Sequence, residues 1–374
     1  MTAVRHKIFV GLSGGVDSAV AALCLRAQGH AVVGVFMKNW EEDDRDGHCA
    51  AAEDLAAARA VAEHLDIPLL TVNFSSEYWE RVFEHFLAEY RAGRTPNPDV
   101  LCNSEIKFRA FLDFARERGA TAIATGHYAR IERVEEGHRL CLSADPDKDQ
   151  TYFLHRLTQE QLAAARFPLG GFTKRRVRAR ARAAGLPNAQ RRDSTGICFI
   201  GERRFRDFLA RYLPAMPGAM VTPEGRTVGE HRGLMFYTIG QRQGLGIGGG
   251  GNGRPWYVAD KDLERNRLIV VQGADHPLLY HEALELESLH WITGTPPAAP
   301  LRCLARLRHR QPLQPCTLYR SKGHWRLRFD RPQRAIAPGQ SAVVYLDGVC
   351  LGGGVIRRAL RVPDAAEENR AHGG

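Results

Sequence analysis

The eight residues Gly11–Ser18, GLSGGVDS, constrain this chain more than any other stretch. An apolar run, Lys7–Val10, leads into them, and a helical pattern, Ser18–Gln28, leads out. A glycine-rich turn between strand and helix gathers backbone N–H groups at a helix N-terminus. Hydrogen bonding and the positive end of the helix dipole then both favour a phosphate. No Lys-Ser or Lys-Thr follows the last glycine, so this is not a P-loop, and the spacing is not GxGxxG. The hydroxyls of Ser13 and Ser18 and the carboxylate of Asp17 flank the glycines instead. The plain alternative is an ordinary turn in which Asp17 or Ser18 caps the helix.

The residues on either side of the loop predict the layer it belongs to. Apolar runs at Ile8–Leu12, Ala31–Met37, Leu69–Phe74 and Ala120–Thr125 read as strands. Stretches near Ser18–Gln28, Ala51–Leu65, Ser76–Ala92 and Glu105–Arg118 carry apolar residues at helical spacing. This alternation predicts an α/β domain with a parallel sheet covered by helices on both faces. Ligands of such sheets bind at the carboxyl ends of the strands. Gly11–Ser18, Met37 and Gly126-His127 all fall on that edge.

Downstream the character changes. The glycine-dense string GLMFYTIGQRQGLGIGGGGNGRPWYV excludes long helices and predicts a small mixed domain over 206–283, with GLGIGGGGNG a surface loop. From Leu284 strict alternation appears: Trp325, Leu327 and Phe329 are expected on one face of a strand, with Arg326, Arg328 and Asp330 on the other. Leu301–His309 and Ser341–Leu346 behave alike, and a small β-barrel over 284–362 fits them. The expected domains are therefore 1–205, 206–283 and 284–362, with a disordered polar tail at 363–374.

No run approaches the roughly 20 apolar residues of a membrane span, and the N-terminus has no signal-peptide core, so a cytoplasmic location without membrane association is expected. The eight cysteines are scattered, with no CxxC and no zinc spacing, which argues against a disulfide framework and against a protein metal site. The net charge of +10 is concentrated: Lys174–Arg182 holds six basic residues in nine, and Arg302, Arg306, Arg308 and Arg310 form a second cluster. Each could be merely a solvated face; together they favour a polyanionic partner.

Two cysteines stand apart. Cys102, in NPDVLCNSEIKF, is expected just ahead of a helix that Asn103 or Ser104 caps, with the dipole and Lys107 favouring its thiolate. Cys198, in DSTGICFIGERRF, has Arg191, Arg192, Arg203 and Arg204 nearby. Cationic surroundings lower a thiol pKa. Cys24, Cys141, Cys303, Cys316 and Cys350 read as small buried apolar residues; Cys49 is open.

The loop resembles the pyrophosphate loop of the N-type ATP pyrophosphatases, which adenylate a carbonyl oxygen. The strings SGGVDS, TPNPDVLCN, ATGHYAR, KDQTYFL, DSTGICFIGERRF, FYTIGQRQGLGIGG, PWYVADKD and APGQSAV, in that order, resemble the bacterial tRNA-specific 2-thiouridylase family, from His6 to about Arg361. That resemblance implies an adenine nucleotide alpha-hydrolase-like N-terminal domain, a small central domain and a C-terminal β-barrel. It also implies thiolation of a tRNA wobble uridine with ATP as co-substrate. Gly11, Leu12, Ser13, Gly14, Gly15, Val16, Asp17 and Ser18 would hold the phosphates, with Met37 and Gly126 on the nucleotide. Asn97, Pro98 and Asp99 would meet the target base. His127, Lys148, Asp149, Gln150, Arg308, His309 and Gln340 would touch the tRNA. Cys102 would be the nucleophile and Cys198 the persulfide carrier. The family often has an aromatic residue where this chain has His309, which puts that one contact in question.

The chemistry is coherent on physical grounds. Oxide is a poor leaving group from a uridine C2, and adenylation makes it a good one. Sulfur must then arrive as a nucleophile, and two thiols that meet form a disulfide when it leaves. The base must be taken out of its stack, and phosphate contacts would hold the RNA. Magnesium is expected with ATP, together with an upstream persulfide donor protein and a monomeric enzyme. Competing readings are a 4-thiouridine synthase, an ammonia-dependent ligase sharing the loop, and an inactive RNA-binding protein.

Overall fold

The computed structural model describes residues 6–41, 50–192, 205–248 and 253–361. Strand β1 (Lys7–Gly11) sits in the middle of a parallel sheet, and α1 (Val16–Ala27) leaves from its carboxyl end. Strand β2 (Ala31–Lys38), helix α2 (Ala50–His64) and strand β3 (Leu69–Asn73) come next. Helix α3 (Ser75–Tyr78) then runs through a π-helical segment, Trp79–Phe83, into α4 (Glu84–Arg91). After it, α5 (Pro98–Leu101) runs through a second π-helical segment, Cys102–Ala110, into α6 (Phe111–Glu117) and strand β4 (Ala122–Ala124).

Side chains of β1 alternate between two apolar layers. Ile8, Val10 and Leu12 pack with α1 and α2, whereas Phe9 packs with Phe83, Ile106 and Phe111 of the α3–α6 layer. A strand apolar on both faces belongs inside a sheet covered on both sides. With the later edge strand β7 (Ala165–Arg166), the sheet order is β3-β2-β1-β4-β7, all parallel. Strand order reverses at β1, so the crevice between the carboxyl ends of β1 and β4 is the switch point where α/β sheets take their ligands.

After β4 a hairpin, β5 (Arg130–Val134) and β6 (Gly137–Cys141), leaves the sheet altogether. Helices α7 (Thr151–Leu154) and α8 (Gln159–Ala164), edge strand β7 (Ala165–Arg166) and the basic helix α9 (Lys174–Ala183) complete the first unit. Beyond α10 (Phe205–Leu209), strands β8 (Gly218–Val221), β9 (Thr227–His231), β10 (Trp256–Asp262) and β11 (Arg267–Gln272) form a second sheet ordered β10-β11-β8-β9.

The remaining strands are β12 (Tyr280–Trp291), β13 (Leu301–Arg306), β14 (Gln314–Ser321), β15 (His324–Arg334), β16 (Ser341–Leu346) and β17 (Val349–Leu360). They are ordered β12-β15-β14-β13-β16-β17, and pairing of β12 with β17 closes a six-stranded barrel. The α/β sheet, small central unit and barrel match the expected fold class. The β5–β6 hairpin, however, extends the barrel sheet through Cys141↔Val349.

Over Leu327–Asp330 of β15 the expected alternation holds, with Trp325 half-buried beside it and Arg326 departing from it. Leu327 and Phe329 are buried, Arg328 and Asp330 exposed, but Arg326 is buried although it lies on the polar face. Glu285 of β12 is the reason: Arg326, Arg357 and Arg358 all donate to its enclosed carboxylate. Burial pushes the Glu285 pKa up, but hydrogen bonds from Arg358 and Arg326 outweigh it and hold the carboxyl below its usual value. The cysteines read as apolar fillers, Cys24, Cys141, Cys303, Cys316 and Cys350, are all buried. Cys49, most of Glu41–Gly47, 249–252 of the glycine loop and 362–374 lie outside the described residues.

Candidate nucleotide and thiol site

The loop after β1 is held open by its own residues. Gly14 adopts φ +77°, a conformation glycine reaches without steric cost. The Ser18 hydroxyl donates to the Gly15 carbonyl at 3.0 Å and accepts from the Ser13 backbone N–H at 3.2 Å. Gly15 is the N-cap of α1, and no side chain caps the first turn. An uncapped helix start at a sheet switch point is the kind of place that favours an anion. Gly126, just past β4, closes the crevice from the other side. A Cβ there would stand 2.7 Å from the Ser18 backbone nitrogen, so only glycine admits this approach. Met37 reaches the same edge, its Cε 3.0 Å from where a Cβ on Gly11 would stand.

Four side chains from outside the loop motif, among them the Arg191 expected beside Cys198, complete the cradle. Lys174, the first residue of α9, binds both carboxylate oxygens of Asp17 at 2.8 and 2.7 Å, and the Tyr128 hydroxyl donates to Asp17 Oδ1 at 2.9 Å. Asn188 Nδ2 and Arg191 Nη1 donate to the Gly14 carbonyl at 2.8 and 3.3 Å, and Arg191 also pairs with Asp54. Lys174 was visible only as part of a basic run. Its distance from Asp17, 157 positions along the chain, hides the pairing.

Cys102 is placed differently from the expectation. The helix does not begin after it: Asn97 is the N-cap, accepting from the Asp99 N–H at 3.2 Å, and Pro98 occupies the first turn. Asn followed by Pro is a strong start signal, and it outcompetes Asn103 and Ser104 as caps. Cys102 therefore lies one turn inside a helical run, 1% exposed, rather than in an open loop ahead of one. The dipole acts mainly within the first turn, so its hold on this thiol is weaker than expected. Further along the same run, Phe111 approaches Gly11, its Cε1 3.8 Å from that glycine's notional Cβ. One helix thus joins Asn97-Pro98-Asp99, Cys102 and the loop after β1.

Cys198 lies outside the described residues. The flanks of its segment are described. On one side Arg191 and Asn188 hold the Gly14 carbonyl. On the other, Phe208 and Tyr212 pack into an aromatic cluster with Trp40, just past β2, and Phe83, at ring separations of 5.9 Å (Trp40–Phe208) and 4.8 Å (Phe83–Tyr212). The two flanks are anchored just past the carboxyl ends of β1 and β2.

Of the residues expected to touch RNA, Asp149, Arg308, His309 and Gln340 make contacts across the seams between units, whereas His127, Lys148 and Gln150 bond within the first unit. Asp149 is enclosed and accepts from Ser143 N–H, Thr151 Oγ1 and Arg306 Nη1 at 2.8, 2.6 and 3.1 Å. Gln150 Oε1 accepts from the Tyr128 N–H at 2.9 Å, and Lys148 N–H donates to the Asp145 carbonyl at 3.2 Å. Arg308 Nη2 donates to the carbonyls of Ile239 and Ala335 at 2.9 and 3.0 Å. His309 bonds the Asp149 carbonyl through Nε2 at 2.8 Å, and its ring lies 4.4 Å from that of Phe153. Gln340 Nε2 donates to the Thr95 carbonyl at 2.7 Å. His127 is buried between Phe108 and Phe167, its Nδ1 2.6 Å from Thr125 Oγ1. Burial first, and the Lys107 charge second, push its imidazole well below the usual pKa.

No group of three or more metal-ligating side chains occurs among the described residues, and no helix there is long and apolar enough to cross a membrane.

Comparison with known proteins assigns all three units. Residues 6–202 match the family profile described as a tRNA methyl transferase HUP domain, 206–272 the PRC-barrel domain of the same set, and 281–356 an aminomethyltransferase β-barrel domain. The chain is 60% identical to a tRNA-specific 2-thiouridylase MnmA of Methylococcus capsulatus, over 97% of this chain and 100% of that one. It is 57% identical to the Methylobacillus flagellatus protein of the same name, over 96% and 100%, and 55% identical to that of Vibrio cholerae, over 95% and 97%. Among solved structures, a 4-thiouridine synthetase–RNA complex with bound ATP shares 18% identity, with a TM-score of 0.34 over 56% of this chain and 50% of that one. That score is too low to bear on the assignment.

Proposed function

Because this chain belongs to the tRNA-specific 2-thiouridylase family, we propose that it replaces the C2 oxygen of a tRNA wobble uridine with sulfur, driven by ATP. The observation that carries this reading is the single helical run in which Cys102 lies between Asn97-Pro98-Asp99, at its start, and Phe111, which abuts Gly11. A thiol, a base-facing segment and an anion cradle on one rigid element suit attack on a phosphate-activated base.

The uncapped start of α1 and the Gly14–Gly15 amides would bind the ATP phosphates and later the departing pyrophosphate, with Met37 and Gly126 against the nucleotide. Magnesium would travel with the phosphates. Asp17, with both oxygens on Lys174, fits better as the holder of that lysine than as a metal ligand. The uridine C2 oxygen attacks the α-phosphorus, pyrophosphate leaves, and C2 carries AMP as its leaving group. A persulfide on Cys198, supplied by an upstream donor protein, provides the sulfur. It either attacks C2 directly or is cleaved by the Cys102 thiolate to release hydrosulfide. On the direct route AMP departs to leave C2 joined through sulfur to Cys198, and the Cys102 thiolate then attacks Cys198 Sγ to release the 2-thiouridine; on the other, hydrosulfide displaces AMP. Both leave a Cys102–Cys198 disulfide, to be reduced by an external thiol. The three units, 1–205, 206–283 and 284–362, would divide adenylation from RNA holding. Exposed arginines on α9 and the barrel would neutralise phosphates, and the enzyme would act as a monomer in the cytoplasm.

The family profile's description names methyl transfer, which makes a second reading explicit. Methyl transfer requires neither a pyrophosphate cradle nor a pair of thiols, so the loop and Cys102 favour thiolation. Incubation with unmodified tRNA, ATP, magnesium and a persulfide donor, and then nucleoside mass analysis, separates the readings. 2-Thiouridine is expected. 4-Thiouridine or a methylated uridine would redirect the assignment, and no modified nucleoside would overturn it. Cys198→Ser is expected to abolish product while pyrophosphate release persists; full activity of that variant excludes the persulfide route.

A further inference from the structure

The segment just before Asn97 is gripped from all three units. From the barrel, the Pro338 carbonyl accepts from the Thr95 N–H at 3.0 Å, and Gln340 Nε2 donates to the carbonyls of Thr95 and Pro96 at 2.7 and 3.4 Å. Gly339 makes this approach possible: at φ +89°, a Cβ there would stand 2.8 Å from the Thr95 nitrogen. From the central unit, Thr95 Oγ1 donates to Thr238 Oγ1 at 3.4 Å, Lys261 Nζ donates to the Gly93 carbonyl at 2.9 Å, and Leu263 lies over Gly93, where a Cβ would meet its Cδ2 at 2.5 Å. From its own unit, Arg94 Nε donates to Glu89 Oε2 at 2.7 Å. Four consecutive residues, Gly93 to Pro96, thus carry contacts from three cores.

We infer that Lys261 of PWYVADKD, together with Thr238, is a positioning residue: it fixes the strap Gly93–Pro96, and through it the Asn97 cap and the Cys102 helix, in the geometry thiolation needs. The inference rests on the thiolation reading. Lys261 is half-buried on β10 and spends its ammonium on a backbone carbonyl, an arrangement that costs desolvation and returns geometry. Burial lowers its pKa to about 8, with Asp260 partly opposing. The strap has no regular structure, so nothing within it sets the angle at which the next helix starts. Outside contacts must do so. Misplacement by about 1 Å at a reacting centre is enough to cost about a hundredfold in rate, so a remote hydrogen bond here can act on turnover.

The test uses the full-length protein with Lys261→Met, which keeps the stem and removes the donor, Lys261→Arg, which keeps a donor, and Thr238→Val. For Lys261→Met, kcat for 2-thiouridine formation is expected to fall about tenfold, with KM for ATP and tRNA affinity within about twofold of wild type. Lys261→Arg should recover much of that loss, and Thr238→Val should show a smaller fall of the same kind. Hydrogen exchange at the Thr95 amide should quicken in Lys261→Met. Wild-type kcat and unchanged exchange in Lys261→Met would overturn the inference, as would a loss appearing wholly in tRNA affinity. If Lys261→Met fails to fold, Thr238→Val decides by the same criteria. If wild-type protein makes no 2-thiouridine, the thiolation reading fails, while exchange at Thr95 still reports whether Lys261 holds the strap.

Discussion

Lys174 Nζ lies 2.7 Å from Asp17 Oδ2 and 2.8 Å from Oδ1, so the first residue of α9 holds the carboxylate at the start of α1. The side chains are 13% and 31% exposed, in the range where charge-assisted bonds retain much of their strength. Without the lysine, the Asp17 carboxylate would keep only the Tyr128 hydroxyl among these partners and would repel a phosphate held by the loop as proposed.

Lys174→Met is therefore expected to weaken ATP binding by at least about tenfold, or roughly 1.4 kcal/mol. Asp17→Asn in the same background should restore part of the loss by removing the repelling charge. Calorimetric titration with ATP and magnesium reads both. Equal affinity for wild type and Lys174→Met would mean that the pair merely docks α9 on α1.

Gly126→Ala tests the closeness of β4 to the loop. The added carbon would stand 2.7 Å from the Ser18 nitrogen and 2.8 Å from the Asp17 carbonyl carbon, both backbone atoms that cannot swing away. Overpacking of this kind costs about 1–3 kcal/mol, here directly at the phosphate-facing turn. ATP affinity should fall about tenfold or more. Gly171→Ala, which would meet nothing within 4 Å, is the matched control and should be silent.

The Asp149–Arg306 pair joins the loop before α7 to β13, with side chains 1% and 9% exposed. Removing one partner strands a buried charge, which costs about 3–5 kcal/mol. Arg306→Met should thus lower the melting temperature by several degrees, whereas Arg306→Met with Asp149→Asn should be milder than the sum of the two single changes. Thermal melts of the four proteins complete the cycle. Strict additivity would show that the two side chains do not depend on each other.

His155 supplies a pH dependence. Burial drives its imidazole down to about 3 from 6.5, against the opposing Nδ1 contact with the Tyr152 carbonyl at 2.8 Å. The folded-state pKa is depressed, so between these values the unfolded chain binds more protons than the folded one. Its contribution to stability is complete above about pH 6.5 and is lost as the pH falls toward about 3. Melting temperatures recorded from pH 7 to pH 4.5 should decline less steeply for His155→Asn than for wild type. Parallel declines would assign the acid sensitivity to other groups, such as His127.

Much of the frame is local and therefore readable. The parallel sheet, its helices and the phosphate loop come from periodicity and from glycine placement over short spans. Ile8, Val10 and Leu12 against Phe9 already announce a strand covered on both faces. The alternation of Leu327 and Phe329 likewise announces the barrel wall. The start of the Cys102 helix was readable too, in Asn97-Pro98, yet Asn103 and Ser104 offered equally local cap signals. Pro98 in the first turn gives Asn97 the stronger signal, and the backbone follows it.

By itself, the order of residues determined the fold class, the glycine-rich turn between β1 and α1 and the identity of its family. The tertiary structure alone decided that Lys174 belongs to Asp17, that Arg326 is buried because Glu285 lies across from it, and that Gly93–Pro96 is held by three units. The physical reason is that periodicity and turn chemistry act over a few neighbouring residues. Charge pairing and desolvation, in contrast, act through space between residues that the chain keeps far apart. The loop Gly11–Ser18 could be read from its glycines, but the lysine that holds its aspartate could be found only in three dimensions.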